Sequence, residues 1–102
     1  MSNLSHIELE DNIHRIRIES LGSIITDINQ SQFREILNSI SLSGVYDITN
    51  WTSIAVRVLL EVCAQTNQRV TLKHEDRYLM PIQYPTDIML ETFVEAIMSN
   101  SF

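Results

Sequence analysis

One stretch restricts the fold of this chain more than any other: an apolar pattern of helical period over residues 51–63. Apolar residues recur there at spacings of three and four, as they do along one face of an α-helix. Val56 and Leu60 widen that face, so the pattern predicts a helix buried on more than one side, at the centre of the core. Asn50 or Thr52 is expected to cap its start. The apolar positions are Trp51, Ile54, Ala55, Val58, Leu59, Val62 and Cys63.

The same periodicity predicts one helix before this stretch and one after it. The earlier helix is expected over residues 28–40, with Asp27 as N-cap, Gln30 completing a pattern like a capping box, and Gly44 in the turn that follows. The later helix is expected to start at Pro85-Thr86-Asp87. The apolar stripes are Ile28, Phe33, Ile36, Leu37 and Ile40 in the first helix, and Leu90, Phe93, Val94 and Ile97 in the second.

Alternation with period two predicts two β-hairpins. In the first, Ile7 to Ile18 would form two strands around a turn at Asp11-Asn12. In the second, a strand over 68–74 with Val70 and Leu72 inward leads through the charged turn His74-Glu75-Asp76-Arg77 into an extended run over 78–84. Pro81 lies in that run and favours a position at a sheet edge. The short run 44–48 fits either a strand or an ordered connection.

These elements predict an α+β fold in the order ββ-α-α-ββ-α. A mostly antiparallel sheet of about four strands, in two hairpins, would pack against three helices. The 102 residues fit one compact domain covering 1–102. Their hydrophobic content of 44% is ordinary for a globular protein.

The balance of charged residues indicates which classes of partner the chain can bind. Seven basic residues against thirteen acidic ones give a formal net charge of −6. The basic residues are scattered along the chain, whereas binding to nucleic acid requires clustered cations. We therefore expect no nucleic-acid partner. An acidic surface suits a basic protein partner, because complementary charge accelerates their encounter.

No motif for catalysis, a metal or a cofactor is present in the sequence. Zinc sites need His and Cys residues at short spacings, which this sequence lacks. It also lacks the closely spaced glycines of a phosphate-binding loop and the GxSxG motif of a nucleophilic serine. The chain is therefore expected to be no enzyme and to bind no cofactor or metal. The histidines and cysteine considered are His6, His14, His74 and Cys63, and the glycines are Gly22 and Gly44.

Residues 1–12 lack the features of a signal peptide. The apolar stretches are far shorter than the roughly 20 residues that cross a bilayer. Cys63 has no second cysteine to pair with. We expect a cytoplasmic protein without a membrane partner, and the sequence is compatible with a homo-oligomer.

The predicted partner-binding residues are polar side chains on the two predicted hairpins. The turn of the second hairpin is the densest polar cluster, and exposed turns often carry binding function. The same composition is also ordinary for a solvated hairpin turn. The predicted binding residues are Glu8, Glu10, Glu75, Asp76, Arg77 and Tyr78.

From Asn12 to Lys73, the pattern resembles a STAS domain, the fold of anti-sigma-factor antagonists. Residues 13–18 match its entry strand, 33–40 its first helix, and Val45-Tyr46-Asp47-Ile48 its strand ending in an acidic residue. The resemblance implies a regulatory switch with Ser53 as the phosphorylated serine, although Thr52-Ser53 replaces the family's Asp-Ser signature.

A second resemblance concerns the general type of protein and involves no particular motif. Small, acidic α+β chains without catalytic motifs are similar to bacterial immunity proteins and antitoxins, which neutralise a toxin by binding it tightly. This resemblance implies a non-enzymatic inhibitor with a basic toxin as partner. It is our leading functional hypothesis, and the STAS-like switch is the alternative.

Overall fold

The computed structural model describes residues 4–81 and 88–99, with side chains from 13 to 81 and from 89 to 99. Within these residues the fold is α+β, with four helices and a three-stranded sheet. The helices are α1 (Leu4–Gly22), α2 (Gln30–Asn38), α3 (Ser53–Thr66) and α4 (Ile88–Met98). The strands are β1 (Val45–Asp47), β2 (Thr71–His74) and β3 (Arg77–Leu79).

The sheet is mixed, in the order β1-β2-β3. β1 runs parallel to β2 with Tyr46 opposite Leu72, and β2 runs antiparallel to β3 with Lys73 opposite Tyr78. The run 44–48 is therefore a strand. It pairs in parallel because α3 carries the chain back between β1 and β2, as parallel pairing requires.

The prediction for the central helix is confirmed. Helix α3 packs against both α2 and α4, and Thr52 caps it, since its Oγ1 accepts a hydrogen bond from the Ala55 N–H at 3.1 Å. The predicted widening residues Val56 and Leu60 are fully buried. The buried residues of α3 are Ala55, Val56, Val58, Leu59, Leu60, Val62 and Cys63.

The prediction of a first hairpin over 7–18 is wrong, because this segment lies within the single helix α1. The turn Asp11-Asn12 lacks the glycine that two-residue hairpin turns favour, and the Glu and Arg residues around it favour a helix. Tertiary contacts reinforce the helix: Ile18 is fully buried, and Gly22 lies so close to the Trp51 ring that no side chain would fit. The predicted set of four antiparallel strands with three helices is therefore wrong in detail.

Helix α1 also covers the outer edge of β1. The Glu19 carboxylate accepts a hydrogen bond from the Asp47 N–H at 2.6 Å, and the indole Nε1 of Trp51 donates to the Glu19 carbonyl at 3.1 Å. Strand edges that are covered in this way are protected from pairing with other chains.

Helix α2 is shorter than predicted. It begins at Gln30, after Asn29, so Asp27 is not its N-cap, and Ile28 is 95% exposed instead of buried. Phe33 and Leu37 are buried as predicted. The difference arises because the Asn29 side chain organises the preceding turn, where it accepts a hydrogen bond from the Thr26 N–H.

The second hairpin and the last helix are present where the structure describes them, although the two strands are shorter than predicted, at Thr71–His74 and Arg77–Leu79. Val70 and Leu72 are buried, and β2 and β3 are joined by a turn at Glu75 and Asp76. Residues 82–87, which include the predicted helix start at Pro85-Thr86-Asp87, lie outside the described residues. The buried residues of α4 are Leu90, Val94 and Ile97.

Among the described residues, no helix is both long enough and apolar enough to cross a membrane.

Candidate protein-docking surfaces

A surface groove of about 290 Å³ lies between the start of α3 and one side of α4. Ile54 and Val94 provide its apolar lining. Three carboxylates, from Asp27, Glu91 and Glu95, complete its rim, and all three residues are exposed. An apolar floor with an acidic rim suits a ligand that combines an aliphatic portion with positive charge. We call this feature the acidic groove.

The acidic groove also contains a basic residue, Arg57. Its guanidinium lies 3.6 Å from the Glu61 carboxylate, which is also 3.5 Å from Arg34. Glu61 therefore offsets part of the positive charge of Arg57. The three rim carboxylates outweigh this single cation, so the groove carries a net negative charge.

The position of Asp27 depends on hydrogen bonds within the loop between α1 and α2. The Asn29 side chain accepts from the Thr26 N–H at 2.6 Å and donates to the Ile24 carbonyl at 3.1 Å. The loop is joined to α3 by Thr52, whose hydroxyl donates to the Ile25 carbonyl at 2.8 Å. One threonine thus caps α3 and fixes the loop that carries Asp27.

Ser53 is the first residue of α3, is exposed and also lines the acidic groove. The capping bond of the helix comes from the preceding Thr52, so the Ser53 hydroxyl is not the cap. A modification of Ser53 would therefore change the charge of the groove directly.

The hairpin brings four of the predicted partner-binding residues together. Glu75 and Asp76 form the exposed turn, Arg77 is half-buried, and the Tyr78 side chain is 62% exposed. Tyr78 lies opposite Lys73 in the sheet. This surface therefore mixes both signs of charge, whereas the acidic groove is mainly negative.

Glu8 and Glu10 belong to α1 instead of a strand, and their side chains lie outside the described residues. Their role as partner-binding residues therefore stays a prediction.

A network of hydrogen bonds joins the ends of β1 and β2. The Thr49 hydroxyl donates to Asp47 Oδ1 at 2.6 Å and accepts from the Glu75 N–H at 2.9 Å. The Thr49 N–H also donates to Asp47 Oδ1 at 3.0 Å. These two bonds from Thr49, aided by the nearby charge of Lys73, lower the pKa of Asp47 below its usual 3.8 although burial opposes the shift. The network ties the predicted binding hairpin to β1.

Among the described side chains, no group of three His, Cys, Asp or Glu residues is arranged to hold a metal ion. His14 is exposed, whereas His74 and Cys63 are buried. His6 has a side chain outside the described residues.

Sequence reasoning missed the acidic groove. Part of its signal was visible, since Glu91 and Glu95 are spaced by four residues and so share a helix face. Asp27 gave no such signal, because it looked like an ordinary N-cap and is 64 positions before Glu91. Only the packing of α4 on α3 brings these carboxylates to the same groove.

We compared the chain with protein-family models, curated proteins and solved structures, and none of the three comparisons found a match.

Proposed function

We propose that this chain is a non-catalytic protein-binding module of the immunity or antitoxin type, which inhibits a basic toxin by binding it. The observation that carries this proposal is the acidic groove, with Asp27, Glu91 and Glu95 around an apolar lining. A net charge of −6 over the whole chain would attract the same kind of partner.

The groove suits the lysine and arginine side chains of a partner segment. Such side chains lay their aliphatic stems on apolar surface while the charged head stays at the polar rim. Here the stems would contact Ile54 and Val94, and the heads would meet the rim carboxylates. Charge-assisted hydrogen bonds of this kind are stronger than neutral ones.

The hairpin is proposed as a second contact region. Exposed tyrosine is enriched at protein interfaces, and Tyr78 stands beside the acidic turn of Glu75 and Asp76. Arg77 and the α1 residues Glu8 and Glu10 complete the predicted contact set. Charge reversal at the four acids of this set should weaken binding in a salt-dependent way.

The test is capture of the partner from a lysate of the native cells, with wild-type protein and the variant E91Q/E95Q. We expect wild type to retain one basic protein in stoichiometric amount and to release it at high salt. Loss of two rim charges should weaken its affinity by about tenfold. Both glutamates are exposed, so the variant should fold normally.

The matched control is E35Q, compared with the single variants E91Q and E95Q, because Glu35 is an exposed carboxylate outside both the groove and the hairpin. This control tests the groove separately from net charge, because each of the three single variants changes the net charge by the same amount. Equal retention of the partner by E91Q/E95Q and wild type would contradict the groove as the binding site. Capture of no basic protein by wild type would contradict the proposed function itself.

We propose a STAS-like switch as a second candidate function, favoured by the position of Ser53. This serine is exposed at the start of α3 and shares the groove with Glu91 and Glu95. A phosphate group there would add nearly two negative charges beside these carboxylates. The resulting repulsion would disturb the packing of α4 near the groove.

This second candidate predicts that kinases of the native cells phosphorylate the chain at Ser53. Mass spectrometry should find phosphate on the wild-type peptide and none on the S53A protein. Exposed Ser31, at the second position of α2, serves as the comparison site. Unmodified Ser53 after incubation with active kinases would contradict the switch.

A further inference from the structure

Helix α1 has two faces in different surroundings. Arg15 and Ile18 face the body of the protein: Ile18 is fully buried, and the Arg15 guanidinium lies 5.9 Å from the centre of the Tyr46 ring. On the other side, Ile13 and Ile16 are 55% and 64% exposed. At 100° per residue, Ile13 lies opposite the face that contacts the body. Ile16 lies towards one side, where it borders a surface recess with Asp47 and Trp51. Two isoleucines one turn apart thus form an apolar surface in water.

The spacing of this apolar surface extends along α1. Positions 9, 13, 16 and 20 are separated by four, three and four residues, which is the spacing of a coiled-coil seam. Leucine occupies position 9 and serine position 20. Ile13 and Ile16 lie at the middle of the seam, close to the midpoint of the 19-residue helix. We call these four positions the α1 seam.

The charges beside the seam are opposite at its two ends. Positions 10 and 17 follow seam positions 9 and 16 on the same side, and they carry Glu10 and the exposed Arg17. When two such helices pair antiparallel, each glutamate position meets the arginine position of the other copy. In a parallel pair, position 10 would instead lie level with position 10 of the other copy, seven residues from Arg17 of either copy. The sequence of α1 is therefore complementary to itself in one orientation.

We propose that the α1 seam binds a second copy of this chain, forming an antiparallel homodimer. Two-fold symmetry places Ile13 of one copy against Ile16 of the other, twice. It also forms the pair between Glu10 and Arg17 twice. This interface is separate from the acidic groove, although Glu10 also belongs to the predicted partner-contact set. The test below measures self-association of the chain alone, so its outcome is distinguishable from that of the proposed function.

The test is sedimentation velocity of the full chain over a range of concentrations. Wild type should dimerise, and I13E/I16E should remain a monomer at about 1 mM, because four carboxylates would meet in the seam. The matched control is I24E/I28E, which places glutamate at two exposed isoleucines outside α1. This control should dimerise like wild type.

Charge swapping tests the orientation. R17E should raise the dimer dissociation constant by at least about tenfold, because like charges would then face each other twice. The double variant E10R/R17E restores both pairs with their signs exchanged and should recover the wild-type constant. A monomeric wild type at about 1 mM, or a dimer that survives I13E/I16E, would overturn the proposal. Failure of the double variant to recover would overturn the antiparallel arrangement.

Discussion

Asp47 shows how one carboxylate can stabilise the junction of two strands. It accepts both the hydroxyl and the backbone N–H of Thr49, and the same hydroxyl accepts from Glu75 in the hairpin. The ionised form of Asp47 is the better acceptor, so these bonds lower its pKa in the folded protein. A lowered pKa links the stability of the fold to pH.

Replacing Thr49 with valine should reveal this link between stability and pH. Since the folded pKa of Asp47 lies below its usual value of 3.8, its ionised form stabilises the fold at higher pH. That stabilisation is lost as the pH falls through the folded pKa. T49V should therefore lower the free energy of unfolding by about 1 kcal/mol at pH 7, and by less near pH 3. Urea unfolding at the two pH values measures this.

The control for that experiment is T49S, which retains the hydroxyl. It should keep most of the stability and the pH dependence of wild type. An equal loss for T49V at both pH values would show that the hydrogen bond to ionised Asp47 contributes nothing measurable.

At the scale of elements, the hairpin of β2 and β3 contains a strained residue in its turn. Glu75 has φ 56°, a left-handed value that costs residues with a Cβ roughly 1–2 kcal/mol. A two-residue hairpin turn needs positive φ at its first central position, where glycine is favoured. Glu75 occupies that position although it is not glycine.

We therefore predict that E75G stabilises the protein. The free energy of unfolding should rise by about 0.5–1 kcal/mol, because glycine accepts positive φ without strain and retains the N–H that Thr49 binds. The control is D76G, which also removes one turn carboxylate, but at a residue without positive φ. Chemical denaturation should show a gain for E75G only. An equal change in both variants would assign the effect to charge.

Helix α1 shows how elements compete for the same sequence. Its isoleucines alternate with charged residues as in a strand, yet they also recur at helical spacing. The contact of Gly22 with Trp51 anchors the helix end, and Trp51 in turn packs edge-on against Phe33 at 5.6 Å between ring centres. Packing of this anchor on α2 and α3 selects the helix.

At the scale of the whole molecule, charge is distributed by tertiary packing. The arginines Arg34 and Arg57 lie close to the Glu61 carboxylate between α2 and α3. Carboxylates from the loop after α1 and from α4 meet in the acidic groove instead. Part of the net charge of −6 is therefore concentrated in the acidic groove, which the composition alone does not show.

The candidate site was predictable only in part. The turn at Glu75 and Asp76 was predicted correctly, because turn composition and the flanking alternation are local signals. The groove was not, because it joins residues from the loop before α2, the start of α3 and α4. The placement of Glu8 and Glu10 on a β-hairpin was wrong, since both residues belong to a helix.

The sequence by itself determined the central helix, the buried faces of α2 and α4, and the second hairpin. In each of these elements the apolar residues recur at one clear period. A few neighbouring residues are therefore enough to show which face is buried. The tertiary structure decided whether 7–18 became a strand pair or a helix, and that β1 pairs in parallel with β2. Those choices depend on contacts between residues distant in sequence, such as Gly22 with Trp51 and Asp47 with Glu19. Local periodicity cannot predict these contacts, because they stabilise the fold only when distant parts of the chain have packed together.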